Sequence, residues 1–239
     1  MRDVFDLVLA VSDFNKQDLI DMGYRIPIKV LPILIPFDDY TNPPSQEILE
    51  KYDDDYANVV FVGRVSPHKC QHDVMRAFES YQRNYNKKSR LFIVGSYAHS
   101  SSYYQRLKDY AQKTDAANII FTGHTAFSDV LAYYRCADLF LCQSEHEGFC
   151  VPLVEAMFFD VPIVAYDSSA ISWTLGGSGF LCKNKNPLET AGAMNRILTD
   201  EMLRRTIIQN QRERLACFRY EKIKALFWNC MDEFMGTAG

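Results

Sequence analysis

Two cations and two carboxylates in this chain stand where chemistry on an anionic ligand would need them. Arg64 and Lys69 lie five residues apart in Gly63-Arg64-Val65-Ser66-Pro67-His68-Lys69, directly after the apolar run Val59-Val60-Phe61-Val62. Gly63 lets the backbone come close to a ligand, and two cations so spaced in a turn can reach one anion, for which a diphosphate is the natural guest. The same pair could also be solvated surface charge, but its place at the end of a buried strand favours phosphate.

The carboxylates are Glu147 and Glu155, in Ser144-Glu145-His146-Glu147-Gly148-Phe149-Cys150-Val151-Pro152-Leu153-Val154-Glu155. Pro152 suits the first turn of a helix, where its missing N–H costs nothing, so the helix starts at Val151–Pro152. The free N–H groups of Gly148, Phe149, Cys150 and Val151 then form an anion site supported by the helix dipole. Glu147 falls just before the helix and Glu155 on its second turn. They cannot both stack on one helix face, but one can meet a sugar and the other a ribose from opposite ends of one nucleotide sugar. The alternative is that Glu147 merely favours the dipole and Glu155 is an exposed helical acid; the mostly apolar helix between them argues against a surface role.

Positioning these groups requires a rigid frame, and the chain alternates strand and helix almost throughout. Short runs apolar on both faces, as in buried parallel strands, cover Asp6–Val11, Ile28–Leu34, Asn58–Val62, Leu91–Gly95, Asn118–Thr122, Asp138–Cys142 and Pro162–Ala165. Helical stretches lie between them at Asp13–Met22, His72–Asn84, Ser102–Lys113, Phe127–Cys136 and Val151–Phe159, and the chain is mostly helical from Pro187. The pattern predicts an α/β fold, a Rossmann-like parallel sheet with helices on both faces. Ligands of such sheets bind beyond the carboxyl ends of the strands, where both motifs sit. One stretch breaks the rhythm: residues 37–57 are turn-rich, with Pro43-Pro44 and the acidic run Asp53-Asp54-Asp55, and read as a linker. Residues 1–36 hold one strand–helix–strand, too little for a core of their own, so they are the tail of another domain or pack onto the larger unit of 58–239.

Composition narrows the function. With 239 residues, 48% of them hydrophobic, the chain can bury a full core. Its net charge of -4 gives no overall positive field for nucleic acid. Seven cysteines with no C-x-x-C pair fit buried apolar fillers in a reduced, cytoplasmic protein. The start, Met1-Arg2-Asp3-Val4-Phe5-Asp6, has the wrong polarity for a secretory leader, and no apolar run approaches the ~18 residues of a membrane span. Peripheral attachment at a membrane surface remains open. His68, Cys70 and His72 invite a zinc test, but no further Cys or His ligand lies close in sequence, so no metal is expected. His68 also stands where a P-loop needs its second glycine, and no G-x-G-x-x-G follows a strand.

The Glu147 to Glu155 segment resembles the E-x7-E signature of retaining GT-B glycosyltransferases, in particular family 4, the glycosyl transferases of group 1. Gly63-Arg64 with Lys69 resembles that family's G-R-x4-K element, and Phe121-Thr122-Gly123-His124 followed by residues 129–138 matches the order between the two. The resemblance covers roughly residues 58 to 234. It implies that Arg64 and Lys69 neutralise the diphosphate of a nucleoside-diphosphate sugar and stabilise the leaving nucleotide. Glu147 would bind hydroxyls of the transferred sugar, Glu155 the ribose, Gly123 and His124 the base, and the amides of Gly148–Val151 the phosphates and sugar. No cofactor is implied beyond the donor substrate.

Residues 6–12, with the helix after them and residues 29–33, resemble the last strand–helix of the acceptor domain and its crossover. The resemblance therefore implies the C-terminal half of a GT-B fold, with a missing N-terminal acceptor domain as partner and a glycan or lipid-linked acceptor. It also implies that residues 220–234 pack back on that domain, and polysaccharide biosynthesis is a frequent role. Ala170-Ile171-Ser172-Trp173-Thr174 departs from the Pro-Glu pair of many relatives. Two other readings share the architecture: an inactive nucleotide-sugar-binding or assembly module, and a sugar-nucleotide epimerase or phosphorylase, for which no matching catalytic His or cofactor lysine is evident.

Overall fold

The computed structural model describes residues 4–114 and 118–237. The first three residues, part of the leader reading, lie outside the described residues. The alternation of apolar runs and helices resolves into two parallel sheets. The smaller pairs β1 (Val8–Ala10) with β2 (Ile28–Val30) across α1 (Asp13–Asp21). Ser12 starts that helix, its hydroxyl accepting from the Asn15 amide and so satisfying one of the free donors of the first turn.

The stretch read as a linker is more ordered than its turn residues suggest. It forms a 3-10 turn, Phe37–Thr41, and a helix, α2 (Gln46–Lys51), and it buries Tyr40 and Tyr52 in the core of the larger unit. Two aromatic anchors outweigh the local polarity of the prolines and acids around them.

The larger sheet is built from β3 (Ala57–Val62), β4 (Ser89–Val94), β5 (Ile119–Gly123), β6 (Leu139–Cys142), β7 (Ile163–Tyr166) and β8 (Phe180–Cys182). Its order is β5-β4-β3-β6-β7-β8, all parallel. Between these strands run α3 (Gln71–Asn84), α4 (Ser102–Lys113), α5 (Phe127–Arg135), α6 (Val151–Phe158) and α7 (Ile171–Leu175), followed by α8 (Pro187–Thr199), α9 (Glu201–Leu215) and α10 (Tyr220–Thr237). Strand β8 and helix α7 carry no signal clear enough for sequence reading: each is short, and the run Gly176-Gly177-Ser178-Gly179 between them reads as a turn.

Strand residues alternate between two apolar layers. Val59, Phe61, Leu91, Ile93 and Leu141 join α3, α4 and α8, whereas Val60, Phe92, Phe140 and Cys142 join α5 and α6. The sheet is thus covered on both faces, which is why its strands read as continuous apolar runs. All seven cysteines are free, five of them buried. Among the described residues no helix is long and apolar enough to cross a membrane.

The strand order decides where a ligand can sit. From β3 the chain winds outward through β4 to β5, then returns to β6 beside β3 and winds the other way. The connections after β3 and β6 therefore leave in opposite directions and open a crevice at their carboxyl ends.

Candidate active site in the crevice between β3 and β6

The loop after β3 is held by close backbone contacts. Gly63 has φ +151° and its N–H donates to Val94 O at 2.8 Å. Gly95, at the end of β4, lies so close that a Cβ there would stand 2.4 Å from Gly63 O. Gln71 Nε2 donates to Arg64 O at 3.0 Å, fixing the backbone while the Arg64 side chain is exposed. A short 3-10 turn, Pro67–Lys69, follows, and Cys70 (φ +50°) leads into α3.

That turn directs Lys69 across the crevice. Its ammonium donates to both carboxylate oxygens of Glu147, at 2.6 and 2.8 Å. The pair is largely sheltered, with side chains 18% and 8% exposed. Burial pulls the Lys69 pKa down, but the hydrogen bond to Glu147 and the charge of its carboxylate outweigh it and hold the amine above its usual value. The backbones of the two loops are joined as well, the Glu145 amide donating to His68 O at 2.9 Å. Glu147 is fixed further by its amide, which donates to Ser169 Oγ at 2.8 Å, and by its carbonyl, which accepts from the Ala170 amide at 3.2 Å.

Helix α6 begins at Val151 with Pro152 in its first turn, as expected, and Cys150 before it takes a left-handed conformation (φ 69°). Gly148 is bound from the smaller sheet's side, where the Ser12 hydroxyl donates to its carbonyl at 2.6 Å. The ring of Phe149 is buried edge-on against Phe218 at 5.4 Å, so this residue offers a ligand only its backbone.

Glu155 is brought to a different surrounding. Its two oxygens accept from Tyr40 Oη at 2.8 Å and Tyr134 Oη at 2.7 Å rather than from either cation. Burial raises its pKa, with the two hydroxyls opposing. Gly123 (φ +73°) closes β5 against Tyr97, leaving His124 exposed at the next strand end. The fold therefore joins Lys69 and Glu147 directly. It sets Arg64 at the same strand end, where its side chain makes no ion pair among the described residues, and it holds Glu155 on α6, one helical turn beyond the loop.

Sequence reasoning did not find Ser12, Tyr40, Tyr134 or Ser169 as site residues. Ser12 had a signal, a hydroxyl just before a helix, but nothing local pairs a tyrosine with a carboxylate 115 residues away.

Among the described residues, two groups have ligand atoms within 4.8 Å of one another: Cys70, His72 and Asp73, and Cys142, Glu147 and Cys150. In each, a lysine already supplies the positive charge. Lys185 lies 3.1 Å from Asp73, and Lys69 holds Glu147. A cavity of about 860 Å³ lined by Tyr52, Asn58, Tyr81 and Asp138 opens at the amino ends of β3 and β6. It contains none of the residues above and faces away from the crevice where ligands of such sheets bind.

Comparison with known proteins shows the family and the fold. A family model described as glycosyl transferases group 1 matches residues 45–214. The capsular polysaccharide biosynthesis glycosyltransferase CapM of Staphylococcus aureus is 27% identical over 177 residues, 73% of this chain and 45% of that protein. The O-antigen chain mannosyltransferase B of Escherichia coli is 25% identical over 182 residues, 73% of this chain and 47% of that protein. The chain thus spans about half the length of the curated relatives it matches. Among solved structures, Anabaena Alr3699/HepE in complex with UDP-glucose superposes with a TM-score of 0.82 at 21% identity, covering 98% of this chain and 65% of that one. The fold is that of GT-B glycosyltransferases, and the chain belongs to the glycosyl transferases group 1 family.

Proposed function

We propose that this chain is the donor-binding half of a retaining, hexosyl-type glycosyltransferase. It would hold a nucleoside-diphosphate sugar whose sugar passes to a glycan or lipid-linked acceptor. The observation that carries the reading is the Lys69–Glu147 pair, which places a cation and a carboxylate from two different loops at the topological switch between β3 and β6. Arg64, on the same loop as Lys69, has an exposed guanidinium to add to the diphosphate. Bond breaking leaves charge on the nucleotide diphosphate, and preorganised cations at that place lower the barrier. Glu147, held by Lys69 and by backbone contacts, would accept from sugar hydroxyls, and it is not assigned the role of nucleophile. Glu155 would accept from the ribose, and the amides of Gly148–Val151 at the start of α6 would meet the phosphates and sugar.

The UDP-glucose complex of the Anabaena protein and the polysaccharide-related relatives support this class of donor and acceptor. The acceptor and part of the cleft would come from the length of those relatives that this chain does not span. Calorimetric titration with UDP-, GDP- and ADP-sugars and the free diphosphates tests the proposal. One of these donors is expected to bind with its diphosphate; no heat from any of them favours an assembly module that has kept the fold and lost the ligand.

A further inference from the structure

The Glu155 carboxylate is held in an unusual way for a group proposed to meet a ligand. Tyr40 Oη and Tyr134 Oη each donate to one of its oxygens, at 2.8 and 2.7 Å. Tyr134 comes from α5, but Tyr40 comes from the 3-10 turn of the segment that leads from the smaller sheet into the larger one. The Tyr40 ring is itself fixed, only 5% exposed, with Phe37, Phe127, Phe158 and Phe159 around it at centroid distances of 5.5 to 6.1 Å. Tyr134 stacks on Phe159 at 5.2 Å. Burial raises the pKa of both phenols, so both remain protonated and can only donate to the ionised carboxylate.

A carboxylate offers about four acceptor positions. With one on each oxygen taken by a tyrosine, one on each oxygen is left, and Glu155 retains some solvent contact on the second turn of α6. Two acceptors in a fixed plane match two neighbouring hydroxyls, the arrangement of a ribose 2′,3′-diol.

We propose that Tyr40 is a positioning residue that fixes the Glu155 carboxylate for bidentate acceptance from the ribose, making discrimination of the 2′-hydroxyl depend on docking of the 37–41 turn. The proposal rests on the reading of Glu155 as the ribose acceptor and adds to it a residue from outside the region matched by the family model, which starts at residue 45.

Tyr40→Phe tests it, because the variant keeps the aromatic cage and removes only the hydroxyl. Affinities for UDP, GDP and ADP and for their 2′-deoxy counterparts are measured by calorimetry in the wild type and the variant. Binding of one ribonucleotide is expected to exceed that of its 2′-deoxy form in the wild type. In Tyr40→Phe this preference should fall at least about threefold, the effect of losing one hydrogen bond. A merely looser fold lowers both affinities together and leaves their ratio unchanged. An unchanged ratio in a folded variant overturns the proposal. Should circular dichroism show Tyr40→Phe unfolded, Tyr134→Phe is read the same way, and no change of ratio there overturns it. Absence of binding by every nucleotide overturns the donor reading and this one with it. Binding without 2′ preference in the wild type overturns the ribose role of Glu155 and the role of Tyr40, and leaves the diphosphate reading standing.

Discussion

Lys69 and Glu147 are 78 residues apart in the chain, yet the ammonium of one lies 2.6 and 2.8 Å from both carboxylate oxygens of the other. This contact bridges the crevice between the two halves of the sheet, since Lys69 follows β3 and Glu147 follows β6. Removing either partner leaves a sheltered charge without compensation, the most costly way to break an ion pair.

Lys69→Ala should therefore destabilise the fold by about 3 kcal/mol, near the lower end of the range for an uncompensated buried charge. Glu147→Gln added to Lys69→Ala should recover part of that loss, because the orphaned carboxylate is gone. Urea unfolding of the two single variants and the double variant gives the coupling energy, and additive effects would show that the pair contributes nothing to stability.

Arg64 stands in contrast, exposed and without an ion pair among the described residues. Arg64→Ala should leave the melting temperature unchanged. It should weaken nucleoside-diphosphate binding by about 1.5–3 kcal/mol, roughly ten- to hundredfold in Kd. Equal affinity in variant and wild type would remove Arg64 from the site.

Glu155 predicts a dependence on pH. Burial holds its carboxyl above the ordinary value of 4.5, despite the two tyrosine hydroxyls that favour the ionised form. Such a group gives its full stabilisation below the unfolded pKa, and this is lost as pH rises through the folded pKa. Glu155→Gln does not titrate, so its stability relative to wild type should improve between about pH 4 and pH 7. Nucleotide binding by the same variant should weaken, a trade of function against stability. A stability difference that stays flat over that interval would falsify the shift.

Gly95 limits how the loop after β3 can be altered. A Cβ there would meet Gly63 O at 2.4 Å and Gly63 C at 2.7 Å, and its φ of +146° excludes most side chains. The obstacle is backbone, which cannot rotate away. Gly95→Ala should cost about 1–3 kcal/mol and displace Gly63 and Arg64, lowering diphosphate affinity as well as the melting temperature. An alanine variant with both unchanged would mean that the contact between the two strand ends is loose.

The fold class was legible because buried parallel strands announce themselves as short apolar runs. Helix α4 (Ser102–Lys113) and the start of α6 at Val151 fall where local signals place them. The start of α6 is signalled by a proline inside its first turn, a matter of a few neighbouring residues. Where the signal was weak or misleading, structure departed from sequence. Strand β8 is three residues long, and the apparent linker is held down by Tyr40 and Tyr52, whose burial depends on helices far along the chain.

By itself the sequence determined the chemical types and their place after apolar strands: Arg64 and Lys69 in one loop, Glu147 before a helix and Glu155 within it. Only the tertiary structure decided their partners, giving Lys69 to Glu147 and enclosing Glu155 between Tyr40 and Tyr134. The physical reason is range. Strand and helix propensities act over neighbouring residues, whereas a partner for a buried charge is chosen by which strands lie side by side, and the order β3-β6 is fixed by the packing of the whole sheet.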